Sequence, residues 1–369
     1  MFLTPSNMAH YLLARGTLTP ATVVNGDFMV VEAGRRNRNF KIIHRNGSGL
    51  FIKQIKDMEA MSISTMQREA ACYRMALQEG YHGLAQLMPR MIDHDADRHC
   101  LTIDLLPSGE NLTEFHQRRH SFPVEIGKML GVSLGTYHQT LRGKPLRAED
   151  LANFPRTAPW ILSFHQTSLM GGNTLSGGVQ QLGAIIRQYP DLQNNLMRLA
   201  RQWQYDSIIH GDMKWDNCVV YPDAEGKLNL RIIDWELVDY GDASWDIGAI
   251  LQAYLTAWIF SMPLVQENSP EKYVSKAAYQ LETMQPAIHA FWRSYTETAG
   301  IGKAQANAYL LRCIEYGAAR MVQTAFEILY YSNTMTAHAA TLLQVSQNIL
   351  LNPRQAATAL YGFPQELSS

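Results

Sequence analysis

Between Phe28 and Ile55 apolar residues come in short alternating runs, FMVVEAG, NFKIIHR and LFIKQI. A period of two predicts strands, and Asn46-Gly47-Ser48-Gly49 between the second and third runs predicts a hairpin turn. From Ser62 to Glu79 the period lengthens: Met66, Ala70, Tyr73 and Leu77 recur at helical spacing, and Gly80 marks a stop. Two further strands are expected at Met88 to Asp93 and Cys100 to Leu106, ended by Pro107-Ser108-Gly109. Beyond Glu110 the pattern is mainly helical. One β-rich piece interrupts it, Cys218 to Val238, whose Pro222-Asp223-Ala224-Glu225-Gly226 turn separates two strands. The stretch from Gly171-Gly172-Asn173 to Gly177-Gly178 reads as a mobile loop, and no internal repeat is present.

This order predicts an α+β fold of two lobes, a small β-rich one over residues 1–106 and a large, mainly helical one over 107–369, with a ligand cleft between them. The most apolar run, Ile247 to Val265, is broken by Gln252, Ser261 and Pro263 and reads as a buried core helix, not a membrane span. The opening MFLTPSNMAH lacks a basic region followed by an apolar core, so no secretory signal is expected and the chain is placed in the cytoplasm. Four widely spaced cysteines, Cys72, Cys100, Cys218 and Cys313, have no metal-ligand spacing and read as reduced, buried thiols. With 32 Lys and Arg against 33 Asp and Glu, no overall field steers the chain to nucleic acid or to an anionic membrane. A local basic cluster remains, Arg35, Arg36 and Arg38, in a turn between two strands.

Phosphoryl transfer needs a carboxylate to take the hydroxyl proton, ligands for a metal that neutralises the phosphates, and a lysine on the phosphate oxygens. In His210-Gly211-Asp212-Met213-Lys214-Trp215-Asp216-Asn217, Asp212 precedes Asn217 by the spacing of a kinase catalytic loop, in which the aspartate is base and the asparagine a Mg²⁺ ligand. An apolar run, Ser207-Ile208-Ile209, leads in, and a strand from Cys218 leads out. The hairpin returns through Leu230-Arg231-Ile232-Ile233 to Asp234-Trp235-Glu236, placing Asn217 at its entrance and Asp234 at its exit. Both side chains can then meet one metal.

HGDMKWDN, IIDWE and GDASWDIG together resemble the aminoglycoside phosphotransferase and choline kinase family, a branch of the protein-kinase-like fold. The resemblance implies ATP and Mg²⁺, with Asp212 as catalytic base, Asn217 and Asp234 as Mg²⁺ ligands, His210 as brace of the loop, and Asp246 as its support from the next helix. It also asks for a lysine on the third strand and a glutamate on the following helix. Lys53 and Glu69 answer, with Lys41, Lys56, Glu59 and Glu79 as rivals. The first lobe becomes the nucleotide-binding lobe, and Leu101 to Leu106 its hinge, where Asp104 and Leu105 meet the adenine and Leu105 lends a backbone hydrogen bond.

Two features depart from the family pattern. The loop over the phosphates, Ala33 to Phe40, has one glycine where several are expected. Arg35, Arg36 and Arg38 are expected there to hold phosphates by charge, or else to face a polyanionic or acidic partner, or to form a solvated turn. Lys214, two residues past the base, is a detail of peptide kinases, where such a lysine touches the transferred phosphate. The acceptor is therefore expected to be a hydroxyl of a small molecule or of a peptide serine or threonine, as in maturation of ribosomally made peptides. The alternative is a degenerate, nucleotide-binding kinase acting as scaffold or regulatory partner, and a protein partner stays open.

Overall fold

The computed structural model describes residues 2–34, 37–142, 152–166, 175–263 and 270–364. It divides into two compact units, the first drawn from Met1–Phe115, Lys144–Phe154 and Asp216–Val238, the second from His116–Gly143, Pro155–Trp215 and Asp239–Ser369.

The first unit begins with two short helices, α1 (Pro5–Ala14) and α2 (Pro20–Val24), each opened by a Thr-Pro pair. Threonine suits the cap and proline the first helical position, where its missing N–H costs nothing. Strands β1 (Phe28–Glu32), β2 (Arg38–His44) and β3 (Gly49–Gln54) follow, with the β2–β3 turn at Asn46, whose side chain accepts the Ser48 N–H at 3.0 Å. Helix α3 (Ala60–Ala76) and the single turn α4 (His82–Ala85) lead to β4 (Met91–Asp95) and β5 (Cys100–Asp104). The expected strand from Met88 starts later, at Met91, because Pro89 cannot donate to a ladder.

These five strands form one antiparallel sheet in the order β1-β2-β3-β5-β4. Leu3, Met8, Tyr11 and Leu12 bury themselves against Phe40, Ile42, Leu50 and Ile52 from the sheet. Next comes β6 (Glu110–Asn111), a two-residue strand that pairs with the later hairpin.

The chain then turns helical with α5 (Leu112–Arg119), α6 (Val124–Leu141), α7 (Gly177–Gln188) and α8 (Pro190–Arg201), before β7 (Ser207–Ile209). The glycine-rich stretch from Gly171 lies outside the described residues as far as 174, and Gly177-Gly178 already open α7. The hairpin β8 (Cys218–Pro222) and β9 (Leu228–Ile232) pairs β8 with β6, a three-stranded sheet of the first unit. Strand β10 (Asp239–Gly241) returns to pair antiparallel with β7 in the second unit.

The remaining elements are helices: α9 (Ala243–Phe260), α10 (Pro270–Ser275), α11 (Leu281–Thr298), α12 (Lys303–Leu329), α13 (Ala337–Leu351) and α14 (Pro353–Ala359). The apolar run from Ile247 is the core helix α9, buried along nearly its whole length, and its expected end at Leu264 and Val265 lies outside the described residues. No described helix is long and apolar enough to cross a membrane. All four cysteines are free and buried.

Helices α9 and α12 meet backbone to backbone. A Cβ added at Gly248 would stand 2.4 Å from the Cys313 carbonyl oxygen and 2.7 Å from the Gly317 nitrogen, and one at Gly317 would stand 2.7 Å from the Gly248 carbonyl oxygen. Neither position tolerates a side chain without moving a helix. Gly317→Val is therefore expected to cost about 1–3 kcal/mol of stability through overpacking, measured by urea denaturation. An unchanged midpoint would mean that the two helices can part freely.

Candidate active site

In the first unit a lysine is surrounded by carboxylates. Lys53 on β3 is paired across the ladder with Asn39 and Leu101, and it is 7% exposed between the buried Ile52 and Gln54. Its Nζ donates to Glu69 Oε2 at 2.8 Å, Asp234 Oδ1 at 2.5 Å and Glu236 Oε2 at 3.0 Å. Glu69 comes from the middle of α3, on the face that also buries Ala70 and Tyr73. The rivals Lys41, Lys56, Glu59 and Glu79 are exposed.

The two other carboxylates are delivered by the hairpin. Ile233 N–H donates to the Asn217 carbonyl at 2.9 Å, so the ladder sets Asn217 opposite Ile233 and leaves Asp234 as the next residue out. Asp234 adopts a left-handed conformation, φ 67°, and starts the 3-10 turn Trp235–Leu237. Trp235, fully buried, pins that turn through Nε1 to the Ile232 carbonyl at 2.9 Å, and the turn carries Glu236 back to the lysine. Asn37 Nδ2 reaches Glu236 as well, at 3.3 Å.

Among the described residues, one ammonium faces three carboxylates. Burial alone would lower the Lys53 pKa, but Glu69, Asp234 and Glu236 together hold it well above its ordinary value. Glu69 is pushed up to about 7, first by burial and further by Asp234 and Glu236, against the pull of Lys53. The carboxylates thus raise the lysine, whereas burial is the first cause of the rise at Glu69. Candidate ligand oxygens of Glu69, Asp234 and Glu236 lie within 4.8 Å of one another. Hard oxygen donors this close together, with the Asn217 amide on the same hairpin, suit Mg²⁺.

In the second unit the loop after β7 is tied down by α9. The fully buried Asp246 accepts the His210 N–H at 2.7 Å and the Gly211 N–H at 3.1 Å, and Trp245 Nε1 donates to the Gly211 carbonyl at 3.0 Å. Gly211 has φ 80°, a conformation that other residues adopt only under strain. His210, fully buried, accepts the Asp212 N–H at Nδ1 across 3.3 Å. Asp212 then takes a cation on each oxygen, Lys214 at 2.6 Å on Oδ2 and Arg320, from α12, at 3.2 Å on Oδ1. Burial alone would raise the Asp212 pKa; Arg320 and then Lys214 outweigh it and hold the carboxyl below its ordinary value. Lys214 is correspondingly raised, Asp212 and Glu327 overcoming the effect of its burial.

The other residues expected at the nucleotide, where described, have partners within the first unit. Arg35 and Arg36 are outside the described residues. Arg38 turns to the N-terminal segment, its guanidinium 4.8 Å from the centroid of the Phe2 ring and 3.5 Å from the Leu3 carbonyl, because at the start of β2 it lies beside that segment. The Asp104 carboxylate is engaged by Arg90 at 3.0 Å. Of the Leu105 backbone groups, the N–H donates to the Gly49 carbonyl at 3.0 Å, since hydrogen bonding between β3 and β5 continues past the last paired residues. Sequence reasoning gave no role to Glu236, although it stands two residues past Asp234, and missed Arg320. The signal for the latter was one charge inside Gly317-Ala318-Ala319-Arg320-Met321-Val322, a run otherwise small or apolar.

The family model for the phosphotransferase enzyme family matches residues 27–268, well over half of the chain, a span that holds the lysine cluster and the Asp212 loop but not Arg320. The chain belongs to that family. This phosphotransferase is similar in fold to a choline/ethanolamine kinase family protein from Mesorhizobium loti, at 13% identity and a TM-score of 0.51 over 99% of this chain and 98% of the other. A glucosamine kinase in complex with glucosamine, ADP and inorganic phosphate aligns at 16% identity and a TM-score of 0.52, over 97% of this chain and 88% of the other. A streptomycin–ATP ternary complex of APH(2")-IIa aligns at 12% identity and 0.50, over 93% and 99%. No curated protein sequence matches the phosphotransferase. It has the protein-kinase-like fold, with a small antiparallel sheet in the N-terminal lobe and a mostly helical C-terminal lobe.

Proposed function

We propose that this phosphotransferase moves the γ-phosphate of ATP to a hydroxyl group of a small molecule, with Asp212 as general base. The observation that carries the reading is the lysine cluster. A buried ammonium held protonated by Glu69 and aimed at the exit of a metal-suited hairpin is what α- and β-phosphate oxygens require. Lys53 binds those oxygens, and Glu69 keeps its side chain extended toward them. Asn217, Asp234 and Glu236 would hold Mg²⁺, which when bound neutralises phosphate charge. The amides of Asp104 and Leu105 are already bonded within the fold. Leu106 thus becomes the next backbone donor along the hinge for adenine.

On the acceptor side, Asp212 orients the hydroxyl and takes its proton as the oxygen–phosphorus bond forms and the bond to the leaving ADP breaks. Lys214, with a flexible stem and 38% side-chain exposure, leaves the carboxylate to meet the transferred phosphoryl oxygens. That role also suits a peptide serine or threonine, the second acceptor class to test. A cytoplasmic location, where ATP is supplied, accords with this reading, and the division into residues 1–106 for nucleotide and 107–369 for acceptor is proposed with it.

The test is thermal stabilisation by ATP, ADP and GTP with and without Mg²⁺, followed by an acceptor screen of amino alcohols, amino sugars and serine-containing peptides with phosphate transfer as readout. A Mg²⁺-dependent shift with transfer to one class supports the proposal. A shift without transfer to any hydroxyl supports the scaffold alternative. Asp234→Ala is expected to abolish the Mg²⁺-dependent part of the shift while the protein still melts cooperatively; an undiminished Mg²⁺ effect would put the metal elsewhere.

A further inference from the structure

We propose that Arg320 is a positioning residue of the transfer reaction, fixing the Asp212 carboxylate in orientation and in its charged form from helix α12. The inference rests on the reading of Asp212 as base. Arg320 is 2% exposed, and its one ion-pair partner among the described residues is Asp212. Its Nε and one terminal nitrogen are buried without a hydrogen-bond partner among the described residues. The guanidinium lies 5.5 Å from the centroid of the Trp245 ring. Burying a cation so poorly supplied with acceptors is costly, and the carboxylate it meets is itself largely buried. A residue needed only for packing would be apolar here, like Met321 and Val322 beside it.

The placement is built into the helix crossing. Gly317 and Gly248 bring α12 and α9 into backbone contact. Arg320 stands three residues after the first glycine and Trp245 three before the second, which brings guanidinium and indole together. The same indole holds the Gly211 carbonyl, so one side chain seats both the loop and the arginine.

The charged and titratable groups around Asp212 have distinct tasks. On its own loop are His210, which accepts the Asp212 N–H, and Lys214. From α12 come Arg320 and Glu327, the latter acting on Lys214. From α9 comes Asp246, committed to the loop's backbone N–H groups, with His138 of α6 beside it at 3.6 Å. The two cations that touch the carboxylate oxygens differ in freedom: the Lys214 side chain is 38% exposed, that of Arg320 3%. When Lys214 swings to a phosphoryl oxygen, Arg320 is the cation that stays. Without it, burial would favour the protonated carboxyl, which cannot take a proton from the acceptor.

The experiment times Mg·ATP turnover with water as acceptor, by ADP release, from pH 5 to 9 for the wild type, Arg320→Met, Arg320→Lys and Asp212→Asn, with thermal melts of each. Arg320→Met is expected to lower kcat roughly 10–100-fold, the usual cost of losing a partner that orients a functional group. The KM for ATP should stay within about twofold, and the acid limb of Asp212, below the measured range in the wild type, should move up into it. Arg320→Lys should restore the acid limb and part of kcat. An acid limb unmoved in Arg320→Met overturns the proposal, whatever happens to the melting point. Undiminished turnover in Asp212→Asn instead overturns the base reading, so the two failures are distinct. If Arg320→Met does not fold, denaturation of Asp212→Asn and of Asp212→Asn/Arg320→Met decides. An arginine present for Asp212 becomes a liability once Asp212 is neutral, so the double variant should be at least as stable as the single one. A double variant clearly less stable assigns Arg320 to packing and overturns the proposal.

Discussion

Asp212→Asn is expected to lower phosphoryl transfer by about 10²–10⁴-fold, the usual contribution of a general base, and to leave nucleotide affinity unchanged. Asparagine keeps the size of the side chain, but its single amide oxygen replaces only one of the two oxygens that Lys214 and Arg320 meet, and it cannot take a proton. The cluster around Lys53, proposed above to bind the nucleotide, belongs to the other compact unit, and its ammonium donates to Glu69, Asp234 and Glu236. The readouts are turnover on whichever acceptor the screen identifies and ATP affinity by calorimetry. Near-normal turnover would remove Asp212 from the chemistry; turnover and affinity lost together would point to a collapsed loop. In the wild type the sign of the pH effect is also fixed. A base works deprotonated, and because Arg320 and Lys214 hold Asp212 below the usual carboxylate range, its protonation should not limit the rate anywhere between about pH 5 and 8. An acid limb near neutrality would have to belong to another group, and Glu69, pushed up to about 7, is the first candidate.

The parts of this molecule that are legible in the sequence are those fixed by local pattern. Alternation over LFIKQI gives β3 and the position of Lys53 within it, and helical spacing gives α3 and Glu69 on its buried face. The Asp212 to Asn217 spacing and the strand on either side of the Pro222 turn give the hairpin. What is not legible depends on contacts across the chain. Arg320 follows Asp212 by 108 residues and meets it because two glycines let two helices touch, a coincidence with no local period. Glu236 needs the left-handed turn at Asp234, which is unusual for a residue other than glycine and cannot be read from composition. That the Leu105 N–H is taken by the Gly49 carbonyl depends on strand bonding that runs past the last paired residues. Helices α1 and α2 carry their own Thr-Pro signals.

Lys53→Met is the second large effect, and it should appear first in stability. The substitution leaves Glu69, 2% exposed, with no ammonium and with Asp234 and Glu236 close by. Removing one partner of a buried ion pair costs about 3–5 kcal/mol, because the other charge is left uncompensated. The pH dependence follows from Glu69. Its folded-state pKa is already above the ordinary value because of burial and its carboxylate neighbours, and losing Lys53 takes away the main influence that lowers it. A raised folded pKa means that the folded variant binds the proton more tightly than the unfolded chain, so stability is fullest below the ordinary carboxylate range and is lost as pH rises through about 7 and beyond. The deficit against the wild type should therefore be larger at pH 8 than at pH 5.5, as measured by urea denaturation at the two values. Lys53→Met/Glu69→Leu should recover much of the loss, since apolar residues of similar volume can replace a buried pair, yet turnover should stay low because the proposed phosphate contact is gone. Stability restored together with turnover would mean that Lys53 serves only the fold.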